Sequence, residues 1–158
     1  MGLLNIFKKK QFKETDIEKI MKADQQMTQK VVNTLQWYLP NNWQEVVFYA
    51  GFYKDDCGYF KYFIKLANGK YIDCFTLIPE PEAGKKDILQ EQLMKLNNEI
   101  KSFRTRLPEK HKWVCMVITF TSEGKFDKDY DYADGIKEDD LQAYVATYKN
   151  KLNAKYLK

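Results

Sequence analysis

Acidic and aromatic residues alternate over a short stretch near the end of the chain, where residues 127–134 read D-K-D-Y-D-Y-A-D. Carboxylates at this spacing can bind a hard cation, transfer protons in acid–base catalysis, or attract a basic protein surface. The same alternation is also typical of an edge strand with one face in water. Each of these four interpretations requires different residues around the aspartates, so the rest of the sequence is needed to choose among the interpretations.

Calcium binding makes the most specific demand on spacing. Counted from Asp127, the acids Asp129, Asp131 and Glu138 fall at positions three, five and twelve of an EF-hand loop. Such a loop needs glycine at position six for its sharp turn and a helix on each side. The chain has Tyr132 at position six, after a predicted hairpin. The spacing therefore argues against a calcium site.

Acid–base catalysis requires carboxylates whose environments separate their pKa values. Alternate residues of a strand lie about 7 Å apart, and no feature of the sequence desolvates one aspartate more than another. No glycine-rich phosphate loop accompanies them. The single histidine, His111, lies in a polar connector and is predicted to be an ordinary surface residue. The residues therefore give little support to an enzyme, and we predict no catalytic residue, metal or cofactor.

Length and composition restrict the class of protein. The 158 residues fit one domain, and 44% apolar with 15% aromatic residues is too hydrophobic for a disordered chain. The net charge of +4 does not by itself indicate nucleic-acid binding. Three cysteines without a C-x-x-C motif predict buried, reduced thiols and a reducing compartment. No stretch approaches the roughly 20 apolar residues that stable membrane insertion requires.

Apolar spacing predicts three helices. The first spans residues 14–39, with one stripe formed by Ile17, Ile20, Met21, Met27, Val31, Leu35 and Tyr38. Residues 1–13 are predicted to be a flexible N-terminal arm, and residues 14–158 a single domain. The second helix spans residues 85–106, and the third spans residues 137–152.

Runs of β-branched and aromatic residues predict five strands. Four cover residues 45–54, 59–66, 70–77 and 113–121, and the fifth follows Gly124. The Asn68-Gly69 pair predicts a hairpin with a type I′ turn. The order α-β-β-β-α-β-β-α predicts an α+β fold with a mainly antiparallel five-stranded sheet. The helices are expected to pack on one face of that sheet.

Charge is distributed unevenly along the chain. Residues 127–140 contain seven acids and two lysines, a net charge of −5, so the rest of the chain carries +9. Interleaved tyrosines are effective anchors at protein interfaces. The segment is therefore predicted to bind a basic protein partner and to repel nucleic acid. The predicted partner-binding residues are Asp127, Asp129, Tyr130, Asp131, Tyr132, Asp134, Glu138, Asp139 and Asp140.

Several short motifs resemble one protein family. They are Trp43 before an aromatic strand, K-D-D-C-G at residues 54–58, W-x-C at residues 113–115, and above all F-T-S-E-G-K-F at residues 120–126 followed by D-Y-D-Y. Together they look like the YezG-like immunity proteins of Gram-positive bacteria, over residues 18–148. That family includes antitoxins of nuclease toxins exported by type VII secretion. The resemblance implies an α+β fold, a cytosolic location, no catalysis, and inhibition of a toxin by direct binding.

Two alternatives remain open at this stage. The tyrosines Tyr49, Tyr53, Tyr59 and Tyr62 could stack bases, as in a single-stranded nucleic-acid-binding module. The acidic segment could instead serve a metal-dependent hydrolase. The sequence does not determine the oligomeric state.

Overall fold

One antiparallel sheet of five strands forms the centre of the fold. The computed structural model describes the backbone of residues 2–36, 38–54, 57–74 and 83–155. The strands are β1 Trp43–Lys54, β2 Cys57–Leu66, β3 Tyr71–Asp73, β4 Cys115–Thr121 and β5 Phe126–Asp131, and the helices are α1 Gly2–Gln36, α2 Ala83–Thr105 and α3 Leu141–Lys155. The strand order in the sheet is β3-β2-β1-β4-β5, which places β5 at an edge. The predicted α+β class and element order are confirmed.

Helices cover both faces of the sheet, so the prediction that they cover one face is wrong. Phe48 packs in a core with α1 and α2, whereas its neighbour Tyr49 packs in a second core with α3. The physical reason lies in β1, where every residue from Val46 to Phe52 is buried. A strand that is buried on both sides requires a layer on each face. The approach of α3 is close, since a Cβ atom on Gly51 would stand 2.7 Å from Val145 Cγ1.

The first helix begins at Gly2 rather than at the predicted Glu14. It therefore runs through the residues assigned to a flexible arm, and the division of the chain into arm and domain stays a prediction. Within the predicted apolar stripe, Met27 and Leu35 are buried in the core. By contrast, Ile17 and Met21 are 61% and 60% exposed. The core thus covers only the C-terminal part of the predicted stripe.

The apolar stripe of α2 packs against the sheet as its spacing predicts. Its buried members are Leu89, Leu93, Leu96, Ile100 and Phe103. Helices α1 and α2 lie beside each other, and a surface ion pair joins Lys30 Nζ to Glu99 Oε1 at 2.7 Å. Across the described helices, none has the length and apolar composition that a membrane span requires.

The two hairpin loops that lie within the described residues each span three residues, so the predicted type I′ turn is wrong. In the first, the Leu66 N–H donates to the Lys70 carbonyl, and Gly69 alone of the Asn-Gly pair has a positive φ, 80°. This is the three-residue loop that ends in a left-handed glycine. The loop between β4 and β5 repeats it with Gly124 at φ 87°. Residues 75–77 of the predicted third strand lie outside the described residues.

Two cysteines are buried free thiols, as predicted. Cys115 is fully buried and Cys74 is 3% exposed. Burial, followed by the nearby Asp73 carboxylate, raises the pKa of Cys74 to about 12. The thiol therefore stays protonated and unreactive near neutral pH. The side chain of Cys57 lies outside the described residues.

Candidate functional site

The acidic segment occupies the edge of the sheet and the turn into α3. Within the sheet, β5 pairs with β4, and Asp129 lies opposite Val117. Val117 belongs to the core under α3. Because side chains alternate along a strand, the aspartates of β5 face the α3 side of the sheet. Lys128 and Tyr130 face the α1 side.

Most of the predicted partner-binding acids are accessible to solvent. Residues Glu138–Asp140 form one 3₁₀ turn that leads directly into α3, the helix that packs on the face to which the aspartates of β5 point. Lys128 lies on the opposite face, where its Nζ donates to the Asp24 carboxylate. We define the acidic surface by its exposed members, which are Asp127, Asp129, Asp134, Glu138, Asp139 and Asp140.

Asp131 is half-buried and holds the turn after β5. Its carboxylate accepts hydrogen bonds from the Tyr144 hydroxyl of α3 and from the Ala133 N–H, the latter at 2.7 Å. Ala133 adopts a φ of 52°, a left-handed conformation that side chains other than glycine and asparagine rarely adopt. Burial, and then the hydrogen bond to Asp131, raise the pKa of Tyr144. Asp131 therefore positions the acidic surface rather than extending it.

Tyr130 also points into the molecule. Its ring stacks on Trp113 with centroids 5.5 Å apart and planes 19° apart. Its hydroxyl donates to the Asp24 carboxylate of α1, and Lys128 Nζ donates to the same carboxylate. Lys128 Nζ also donates to Thr28 Oγ1 at 3.1 Å. These contacts form a junction between β5 and α1, which we call the Asp24 junction.

Burial, followed by the hydrogen bond to Asp24, raises the pKa of Tyr130 above its ordinary value. Tyr130 therefore remains a hydrogen-bond donor at neutral and mildly alkaline pH. The structure thus assigns Tyr130 an internal role, whereas Tyr132 is 43% exposed. Sequence reasoning missed Asp24, because its partners lie 104 and 106 residues away along the chain.

Replacing Asp24 by asparagine is expected to destabilise the protein by about 2 kcal/mol, the usual size for a charged hydrogen bond that is partly buried. The Asp24 and Lys128 side chains are 24% and 16% exposed, so water compensates only partly for the lost charge. Urea denaturation measures the change. As a control, Glu99→Gln removes an exposed ion pair and should cost less than about 0.5 kcal/mol. If Asp24→Asn and Glu99→Gln lost the same free energy of unfolding, the stabilising role of the Asp24 junction would be contradicted.

The tyrosines proposed as a base-stacking platform do not share an accessible face. Tyr49 is 1% exposed in the core under α3, where its hydroxyl donates to the Val145 carbonyl at 3.0 Å. Tyr62 is fully buried in the other core. Tyr53 is half-buried, and the side chain of Tyr59 lies outside the described residues. Two of the four tyrosines are therefore unable to stack on nucleic acid.

The carboxylates of β5 are spread along the strand rather than gathered around a point. Asp127 and Asp129 lie on extended backbone, and Asp131 is engaged by Tyr144 and Ala133. Within the described ranges, no three residues of the metal-binding types form a cluster. His111 is exposed in the short turn Glu109–His111, in agreement with its predicted surface position.

Comparison with known proteins agrees with the motifs in the sequence. The family model described as immunity protein YezG-like matches residues 24–154, which is most of the chain. A curated relative, Immunity protein YezG of Bacillus spizizenii, is 24% identical over 127 residues, covering 77% of this chain and 78% of the relative. The matched range includes β1 to β5, the Asp24 junction and the acidic surface. The chain therefore belongs to the YezG-like family of immunity proteins.

Proposed function

We propose that this chain is an antitoxin that neutralises a cognate secreted toxin by direct binding, with the acidic surface covering a basic site on the toxin. The observation that supports this most directly is the exposure of six carboxylates along β5 and the turn that leads into α3. Lys128, which could have neutralised them, is turned away into the Asp24 junction. The acidic surface thus concentrates negative charge on a chain whose net charge is +4.

A nuclease is the class of toxin that such a surface fits. Nucleases bind the phosphate backbone through lysine and arginine, so their active sites attract negative charge. A protein that presents carboxylates to the same site competes with nucleic acid for it. Charge complementarity also accelerates association, which is useful when toxin and antitoxin meet in the cytoplasm at low concentration. A toxin exported by type VII secretion would meet this antitoxin in the producing cell and its siblings.

The mechanism requires no catalytic step. The antitoxin blocks access to the toxin's site as long as the complex persists, so its effectiveness depends on a slow dissociation rate. Tyr132, exposed beside the acidic surface, can provide amphipathic contact area at little cost in conformational entropy. Asp131 and Tyr130 support the surface from inside the fold.

Co-expression tests the proposal. We expect the C-terminal domain encoded by the adjacent reading frame to stop bacterial growth when expressed alone, and growth to recover when this chain is co-expressed. An unrelated acidic protein at the same level controls for a nonspecific effect of charge. The proposal fails if the adjacent product is harmless alone, or if it stays lethal with this chain present.

A further inference from the structure

A small, mainly apolar pocket lies on the α1 side of the β5 edge, opposite the acidic surface. Its volume is about 180 Å³, and its walls include Ile20 of α1, Leu107 after α2 and Trp113, together with the polar side chains of Asp24 and His111. Met21 and Tyr132 also line this pocket, and they are 60% and 43% exposed. A pocket of this size can accept one large side chain from another molecule.

Two apolar side chains stand exposed next to the pocket. Ile17 and Met21 lie one turn apart on α1, so they share a face of the helix. Their exposures of 61% and 60% contrast with the burial of Met27 and Val31 further along the same stripe. A ridge of large apolar residues beside a pocket is the usual form of an interface anchor.

We propose that this pocket and the Ile17–Met21 ridge form the apolar anchor of the interface with the basic toxin, an inference that rests on the proposed function. Tyr132 connects the anchor to the acidic surface. It precedes Asp134 by two residues, so their Cα atoms lie within about 7.6 Å. Because β5 is an edge strand, a partner that binds around this edge contacts the acidic surface on the α3 face of the sheet and the anchor on the α1 face.

Charge favours a basic toxin over a second copy of this chain as the occupant. A symmetric pairing through the Ile17–Met21 ridge would bring two acidic surfaces close to Tyr132, and like charges oppose association. The ridge itself carries exposed Glu18, Lys19 and Lys22, so the preference for a basic partner comes from the acidic surface that begins beside Tyr132. The occupant is therefore a toxin surface on which a large apolar side chain projects among lysines and arginines. The carboxylates raise the rate of association with the toxin, and the anchor lowers the rate of dissociation.

The double variant Ile17→Gln/Met21→Gln tests the anchor. Glutamine keeps the net charge and a helix propensity close to that of methionine, so the change removes apolar contact alone. We expect Kd for the toxin domain encoded by the adjacent reading frame to rise about tenfold or more, mainly through faster dissociation. Surface plasmon resonance at two salt concentrations measures both rates. The salt dependence of association should stay unchanged.

The matched control is Ile88→Gln/Met94→Gln on α2. These two residues are the same types and are also exposed, at 53% and 58%, away from the pocket. We expect Kd to change less than twofold in this control, and both variants to keep the wild-type melting temperature. If the two double variants bind with the same Kd as the wild type, the anchor is wrong while the proposed function stands.

Two further outcomes would overturn the inference. If the wild-type chain does not bind the toxin domain, the proposed function and the anchor fail together. If light scattering shows a dimer that Ile17→Gln/Met21→Gln converts to a monomer, a second copy occupies the ridge instead. A monomeric wild-type chain whose toxin complex is weakened only by the Ile17→Gln/Met21→Gln variant supports the proposal.

Discussion

Replacing Asp127, Asp134 and Asp139 together by asparagine is expected to slow association with the toxin roughly thirtyfold at low ionic strength, within the range of electrostatic steering. All three side chains are exposed and belong to the acidic surface. Asparagine has nearly the same shape as aspartate, so the variant removes three charges with little change in contact area. Asp131 is left intact because it holds the turn after β5 through Ala133.

Salt concentration separates steering from contact. The Debye length falls from about 30 Å at 0.01 M salt to about 8 Å at 0.15 M, so the wild-type association rate should fall steeply as salt is added. The triple variant should respond less, and the two rates should converge at high salt. Stopped-flow mixing or surface plasmon resonance provides the rate constants. Dissociation should change much less than association, which distinguishes this variant from the loss of the apolar anchor.

The matched control changes the net charge by the same amount on another face. Asp87→Asn, Glu91→Gln and Glu99→Gln remove three exposed acids from α2. If the overall charge of the protein mattered, both triple variants would slow association equally. We expect the α2 variant to associate within about twofold of the wild type. Equal slowing, or no slowing in either, would remove the acidic surface from the proposed mechanism.

Element types were predictable because their patterns are local. The stripe from Leu89 to Phe103 has helical spacing along its whole length, and all its members are buried. The covering of both sheet faces was also encoded, since Val46–Phe52 contains no residue that favours water. The turn at Gly69 was harder, because an Asn-Gly pair is compatible with loops of two or three residues. The choice depends on the register that β2 and β3 adopt in the sheet.

The candidate site was only partly predictable, for a different reason. The alternation of residue types along β5 correctly placed its aspartates on one face of the sheet and Lys128 and Tyr130 on the other. It did not show which residues would pack against each face. The contacts of Tyr130 with Asp24, and of Asp131 with Tyr144, join residues that only the tertiary fold brings together. An exposed aspartate and a hydrogen-bonded one look the same in a sequence.

The exposure of Ile17 and Met21 could not be predicted either, because it depends on the tertiary fold. Met21 and Met27 lie on one predicted stripe and are the same residue type, yet they are 60% and 6% exposed. The difference arises because the core under α1 extends to Ile20 and no further among the described side chains. Where a core ends depends on the sizes of the layers that pack together, which periodicity does not encode.

Replacing Trp113 by alanine is expected to destabilise the fold by about 4 kcal/mol, in the range for removing a buried large aromatic side chain. Trp113 is 1% exposed, stacks on Tyr130, and meets Phe52 edge to face with centroids 5.8 Å apart. Its indole N–H has no hydrogen-bond partner among the described residues, so the loss comes from packing. Its backbone carbonyl, which accepts from Arg104 Nε at 2.7 Å, remains in the variant.

Trp43→Ala is the matched control, because Trp43 is half-buried and meets Phe120 edge to face at 5.7 Å. Because Trp43 is less buried than Trp113, its removal loses less packing. We expect urea denaturation to show that Trp43→Ala lowers the free energy of unfolding by about 2 kcal/mol. Trp113→Phe keeps part of the ring contact and should cost about 1.5 kcal/mol, so it stays folded for binding measurements. If Trp113→Ala cost no more than Trp43→Ala, Trp113 would not be the main support of β5. In the expected case, the acidic surface depends on an aromatic residue that is not part of it, because Trp113 stacks on Tyr130 and Tyr130 holds β5 to α1.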